Sequence, residues 1–171
     1  MNYKSILNLL GILLVIFSFA FIPPLVVTFI YKETLSEIFL YSFLFLISLG
    51  GLMWFISRQK GLPLNISDGF IITTMFWVVL AFAGSIPFYF FGLSINDAIF
   101  ESVSGITTTG ATLIVGLDDL PKSLLLYRQL LQWIGGMGLI ILAVAVMPAL
   151  GIGGSQLYKM ELPGSHGNQK L

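Results

Sequence analysis

The sequence predicts an all-α membrane protein: four transmembrane helices plus one re-entrant pore helix and filter loop between the third and fourth. Three observations carry that prediction. Of 171 residues, 57% are hydrophobic and 9% charged, and the mean hydropathy is +0.97, far too apolar for a soluble domain. Four apolar runs each reach the roughly 20 residues that a hydrocarbon core requires. Between the last two lies a helical stretch too short to cross, followed by the polar run Thr107-Thr108-Thr109-Gly110-Ala111-Thr112.

The first span is expected from Ile6 to Tyr31. Lys4 before an apolar run, with Ser18-Phe19-Ala20 beyond it, imitates a cleavable signal peptide, but the apolar run continues past that point, which favours an uncleaved anchor. The second span is expected from Leu35 to Ser57, the third from Gly69 to Phe91 and the fourth from Ser123 to Leu150. Excess length in the first and fourth calls for tilt or kinking. Pro23-Pro24 and Pro148 mark kink or end points, and Pro87 is expected to break the last turn of the third span. With alternating spans, Lys4, Arg58, Lys60, Lys159 and Lys170 fall on one side, and Lys32, Lys122 and Arg128 on the other. The positive-inside rule then places both termini of this multi-pass protein in the cytoplasm. The expected organisation is an N-terminal transmembrane hairpin (1–60), one helix–pore-loop–helix repeat (61–159) and a polar cytoplasmic tail (160–171).

Between the third and fourth spans, Asn96 to Ile106 reads as a helix. Ser94 and Asp97 resemble a capping pair, Gly105 suits a helix end, and Ala98, Ile99, Phe100 and Val103 offer a packing face. Ten or eleven residues extend only about 15–17 Å, half a bilayer. The C-terminal end of such a helix carries about half a negative charge, which favours a cation in the following loop.

The Thr/Gly run suits that role. A cation leaving water needs oxygen ligands at short intervals, and main-chain carbonyls of an extended loop supply them. Such a loop requires backbone angles that glycine allows, which singles out Gly110. Thr107, Thr108 and Thr109 add carbonyls, and their hydroxyls can bond behind the loop. On composition alone, an ordinary interhelical turn remains the alternative. From Gly61 to Pro121 there is no Lys or Arg, while Asp68, Asp97, Glu101, Asp118 and Asp119 fall in the same stretch. They form either a solvated acidic loop or a negative vestibule that concentrates cations. Arg128, inside the fourth span, needs to snorkel or to pair with an acid, Glu101 being the candidate. That pair is either structural or handles the ion directly.

Two stretches carry a family resemblance. Phe100-Glu101-Ser102-Val103-Ser104-Gly105-Ile106, continuing through the Thr/Gly run to Thr112, resembles the first pore helix and filter of the TrkH potassium-uptake proteins, within the Trk/Ktr/HKT superfamily. Tyr127-Arg128-Gln129-Leu130-Leu131-Gln132-Trp133-Ile134-Gly135-Gly136-Met137-Gly138 resembles the start of the inner helix that follows, and Gly151-Ile152-Gly153-Gly154-Ser155-Gln156-Leu157-Tyr158 the segment after it. The resemblance implies four pore repeats around one potassium path, preceded by two extra helices. It matches Thr108 and Thr109 to ion-contacting residues and Gly110 to the filter glycine. It also implies a homodimer working with a cytosolic TrkA-type nucleotide-binding subunit, with potassium as the permeant ion and no other cofactor. Only one filter-like motif is present, and one loop cannot ring a pore. The expectation is therefore an N-terminal part that needs the remaining repeats; a homotetrameric small cation channel and a non-conducting membrane assembly module are the alternatives.

Other classes of function lack support. With no cysteine there is no disulfide framework or thiolate metal site, and zero net charge gives no basic surface for nucleic acid. No Ser/His/Asp or metal-ligand spacing appears, and His166 sits in the polar tail, so no enzyme is expected. Gly135, Gly136 and Gly138 lie inside an apolar span, where small residues let helices pack closely. Gln129 and Gln132 are expected to bond neighbouring helices, Trp54, Trp77 and Trp133 to be belt or packing aromatics, and Thr73 and Thr74 to bond back within their own helix.

Overall fold

A computed structural model of the chain describes residues 3–58 and 66–149. The expected tail, His166 and the segment 151–158 lie outside the described residues. Two compact units are distinguished, residues 1–137 and 138–171. Of the second, residues 138–149 are described, and they are helical. Everything below concerns the first unit.

The described residues are helical, without a strand. The first span is split. Helix α1 (Tyr3–Ser18) passes through a 3-10 turn at Phe19–Phe21 into α2 (Ile22–Tyr31). Pro23 and Pro24 occupy the first turn of α2, where a missing N–H has no helical partner to lose. Helix α3 is Ser36–Ser57 and α4 is Ile66–Phe91. Pro87 does not break α4, contrary to expectation: it is buried inside a helix that continues to Phe91. The same stretch of α4 is tied to α6, with the Tyr127 hydroxyl donating to the Gly84 carbonyl at 2.9 Å. Helix α5 is Ile95–Ile106, and after a 3-10 turn at Leu117–Asp119 comes α6, Lys122–Ala149.

Among the described residues, three stretches are long and apolar enough to cross a membrane: Tyr3–Tyr31, Ser36–Ser57 and Gly69–Phe91. The predicted fourth span coincides with α6. Outward-facing Phe45, Phe55, Phe82 and Phe90 are exposed. These helices are therefore apolar on both faces, the pattern of a segment whose outer side meets hydrocarbon.

Helices α1 and α3 meet through two glycines. A Cβ on Gly11 would lie 2.8 Å from the Gly50 carbonyl oxygen, and one on Gly50 would lie 2.8 Å from that of Gly11. Neither backbone can yield without parting the helices. Gly50→Val is expected to destabilise by about 1–3 kcal/mol, read as a lower thermal midpoint in detergent. Gly51→Val is the control, since a Cβ there meets nothing within 4 Å. Equal midpoints for the two variants would remove the glycine contact from the account.

Tyr127 ties α6 into this frame. Its ring is 5.5 Å from Phe21, 5.7 Å from Phe39 and 5.3 Å from Phe88, and it is fully buried. The start of α6 is capped from far away in sequence. The Glu33 carboxylate, between α2 and α3, accepts from the backbone N–H of Lys122 at 2.6 Å and of Ser123 at 3.2 Å, and from the Ser123 hydroxyl. Free amides and the positive end of the helix dipole make that carboxylate favourable there.

Candidate cation site in the loop after helix α5

Helix α5 starts as the sequence suggests. Ser94 accepts from the Asp97 N–H at 3.2 Å and donates its hydroxyl to Asp97 Oδ2 at 2.7 Å. Twelve residues extend about 18 Å, short of a bilayer. Its buried face differs from expectation. Ala98 is buried, but Phe100 and Val103 are exposed, and the inward side is Glu101, Ser102, Ser104, Gly105 and Ile106. Small residues are needed because helices approach from both sides. A Cβ on Gly84 of α4 would stand 2.5 Å from Ser102 Oγ, and a Cβ on Gly105 would stand 2.9 Å from Leu131 Cβ of α6. Gly105 thus serves packing inside the last turn rather than ending the helix.

The chain then leaves α5 in a tight hook. Thr108 has φ 58° and Gly110 φ 74°. Left-handed angles suit glycine but strain a β-branched threonine, typically by about 1–3 kcal/mol. The hook is held by its amides. Thr107 N–H donates to Val103 O (2.8 Å), Thr108 N–H to Gly105 O (2.9 Å), and Thr109 and Gly110 N–H both to Ser104 O (3.0 and 3.3 Å). Thr107 Oγ1 donates to Val103 O at 2.8 Å and lies 2.8 Å from Thr109 Oγ1. Every backbone amide of the hook therefore turns back onto α5. The carbonyl oxygens of Thr107, Thr108, Thr109 and Gly110 accept no hydrogen bond among the described residues, and all four residues are exposed. Oxygens without N–H partners, at the negative end of a helix dipole, form a surface suited to a cation.

Glu101 anchors the outgoing leg. Its side chain is fully buried, and Arg128 Nε donates to Oε2 at 3.0 Å. Oε1 accepts from Thr112 Oγ1 at 2.6 Å and from Leu113 N–H at 2.7 Å. One carboxylate thus fastens α5, the loop exit and α6 together. A buried ion pair needs further hydrogen bonds, and here both carboxylate oxygens have donors. Arg128 is itself buried, with its guanidinium against Glu101.

Helix α6 supports the hook from below. A Cβ on Gly135 would lie 1.9 Å from Ile106 O, so α6 touches the backbone of the last residue of α5. Gly136 is less crowded, its Cβ position being 3.6 Å from Thr108 Cγ2. Gln132 Nε2 lies 3.8 Å from where a Gly110 Cβ would be. Neither Gln129 nor Gln132 bonds another helix among the described residues, contrary to expectation; Gln129 is exposed, on the side of α6 away from the packed face. Thr73 and Thr74 bond back to Gly69 O and Phe70 O. Trp54 is capped by Arg58, 5.1 Å above its ring. Sequence reasoning did not assign Ser104, Thr112, Leu113 or Glu33, whose partners lie 7 to 90 residues away.

Comparison with known proteins agrees with this architecture. The family model described as "TrkH: Cation transport protein" matches residues 35–171. The Trk system potassium uptake protein TrkH of Vibrio parahaemolyticus is 47% identical across all of this chain, and that of Escherichia coli K12 is 44% identical. This chain spans 36% of the length of each. The crystal structure of the potassium transporter TrkH from Vibrio parahaemolyticus superposes with a TM-score of 0.84 at 48% identity, covering 90% of this chain and 34% of that one.

Proposed function

The chain belongs to the TrkH family of cation transport proteins, and from that premise we propose that it supplies one of the loops lining a potassium path. The observation that carries the reading is the hook itself: four successive carbonyls free of N–H partners, with every amide turned back onto α5. Potassium is the permeant ion, held in place of its water by the oxygens of Thr107, Thr108, Thr109 and Gly110. Thr108 and Thr109 are its main ligands. No covalent step is involved and no other cofactor takes part.

One hook gives oxygens on one side of an ion only. The remaining repeats of a longer polypeptide complete the ring, as the relatives' greater length supports. In this reading α6 is the fourth span and α5 a re-entrant pore helix. Residues 1–60 form a hairpin at the edge, 61–159 the first repeat and 160–171 a cytoplasmic tail. Both termini face the cytoplasm, in the cell inner membrane. Asp118 and Asp119 then lie at the outer mouth, where exposed carboxylates concentrate cations. The assembled protein works as a homodimer with a TrkA-type nucleotide-binding subunit. Glu101 and Arg128 hold the loop and do not touch the ion.

The test is Gly110→Ser in a full-length transporter in which this chain supplies the first third, expressed in a potassium-uptake-deficient strain. The Cβ position at Gly110 is uncrowded, so the cost comes from its φ of 74°, about 1 kcal/mol or more. Potassium preference over sodium is expected to fall severalfold while membrane insertion holds. An unchanged permeability ratio would remove Gly110 from the ion path. Uptake restored by this chain alone would favour a homotetrameric channel instead, and no flux in any assembly would leave a non-conducting module.

A further inference from the structure

We propose that Ser104 limits the run of ion-facing carbonyls to four and thereby sets the discrimination between potassium and sodium; the inference rests on the carbonyl-site reading above. Buried serine and threonine hydroxyls within the spanning helices α1 to α4 bond back along their own helix. Ser18 donates to Val15 O, Thr28 to Leu25 O, Ser42 to Ile38 O and Ser85 to Phe82 O. That is the ordinary fate of a hydroxyl inside a helix. Ser104 departs from it. Its hydroxyl reaches seven residues forward and donates to Ala111 O at 2.6 Å.

Ala111 follows directly after the four residues with free carbonyls. The fifth oxygen of the series is thus turned inward and occupied. The backbone of Ser104 grips the other leg, its carbonyl accepting both Thr109 and Gly110 N–H. One residue, 6% exposed, therefore fixes the loop where it leaves the helix and where it ends. Ser102, two positions earlier, makes the contrast. It is fully buried, its hydroxyl has no partner among the described residues, and it fills the space against Gly84. A serine there is packing; a serine at 104 is a tether.

Fixed oxygens discriminate because they cannot close around a smaller ion. Without the tether, the Ala111 carbonyl is released and the outgoing leg gains freedom to contract around sodium. Ser104 is accordingly a positioning residue that acts through Ala111 and touches no ion.

The experiment uses the same full-length transporter with Ser104→Ala, Ser104→Thr, Ser102→Ala and Gly110→Ser, reading the potassium-to-sodium transport ratio together with folded yield. Ser104→Ala removes one oxygen and adds no volume, so it is expected to fold. Its ratio is expected to drop about 3- to 10-fold, the range of one hydrogen bond. Ser104→Thr keeps a donor and is expected to retain the parent ratio, as is Ser102→Ala. An unchanged ratio in Ser104→Ala beside a shifted one in Gly110→Ser overturns the tether alone. An equal drop in Ser102→Ala also overturns it, since general loosening of α5 would then suffice. If neither Ser104→Ala nor Gly110→Ser moves the ratio, the carbonyl site itself is lost.

Discussion

Arg128→Ala is expected to lower stability by about 3–5 kcal/mol and to leave little folded protein in the membrane. The reason is less the lost attraction than what stays behind. Glu101 is fully buried, and without Arg128 its charge has only Thr112 Oγ1 and the Leu113 N–H for company. An uncompensated buried carboxylate is far costlier than a broken surface pair. Folded yield and thermal midpoint in detergent measure the effect. Arg128→Met combined with Glu101→Gln is expected to recover much of the loss, because both charges are removed together. A variant Arg128→Ala that keeps its yield while its ion preference changes would move the arginine from scaffold to ion path.

Gly135→Ala is the second large effect, and its neighbour provides the scale. A Cβ at position 135 would lie 1.9, 2.6 and 2.9 Å from the O, C and Cα atoms of Ile106. All three are backbone, so no side chain can swing aside. Helix α6 would have to move off the end of α5, one residue before the hook begins. The expected cost is at or above about 3 kcal/mol, the upper end for overpacking, with transport lost in whatever protein still folds. Gly136→Ala is expected to be close to neutral, since the nearest atom is Thr108 Cγ2 at 3.6 Å, an ordinary contact. Similar midpoints for the two adjacent variants would show that α6 does not press on Ile106.

Where a feature depends on residues within a turn or two of one another, sequence reasoning reached it. Ser94 and Asp97 announced the start of α5, and Gly110 takes the left-handed angle that a glycine in a polar hook suggests. The restart of the first span at Pro23 and Pro24 is likewise local, a matter of fixed φ and a missing donor. A single arginine in an apolar helix demanded an acid, and the structure sets Glu101 Oε2 3.0 Å from its Nε. Local reasoning erred where neighbours intervene. Within its own helix Pro87 removes a bond and predicts a break, but α4 continues to Phe91, and Phe88 packs on Tyr127 of α6. Apolar character alone makes Phe100 and Val103 the packing face, yet α4 and α6 approach on the other side, where Ser102 and Gly105 sit at the closest contacts.

By itself the sequence determined that the chain is helical and suited to a bilayer, that one helix is too short to cross it, and that a polar threonine–glycine hook follows. Those properties depend on composition, length and backbone angles, which neighbouring residues settle among themselves. Only the tertiary structure decided that Glu33 caps α6, that Ser104 takes the Ala111 carbonyl, that Thr108 joins Gly110 in the left-handed region, and that Gly135 lies against the backbone of Ile106. Each depends on groups brought within bonding distance by packing, and no pattern along the chain encodes that distance.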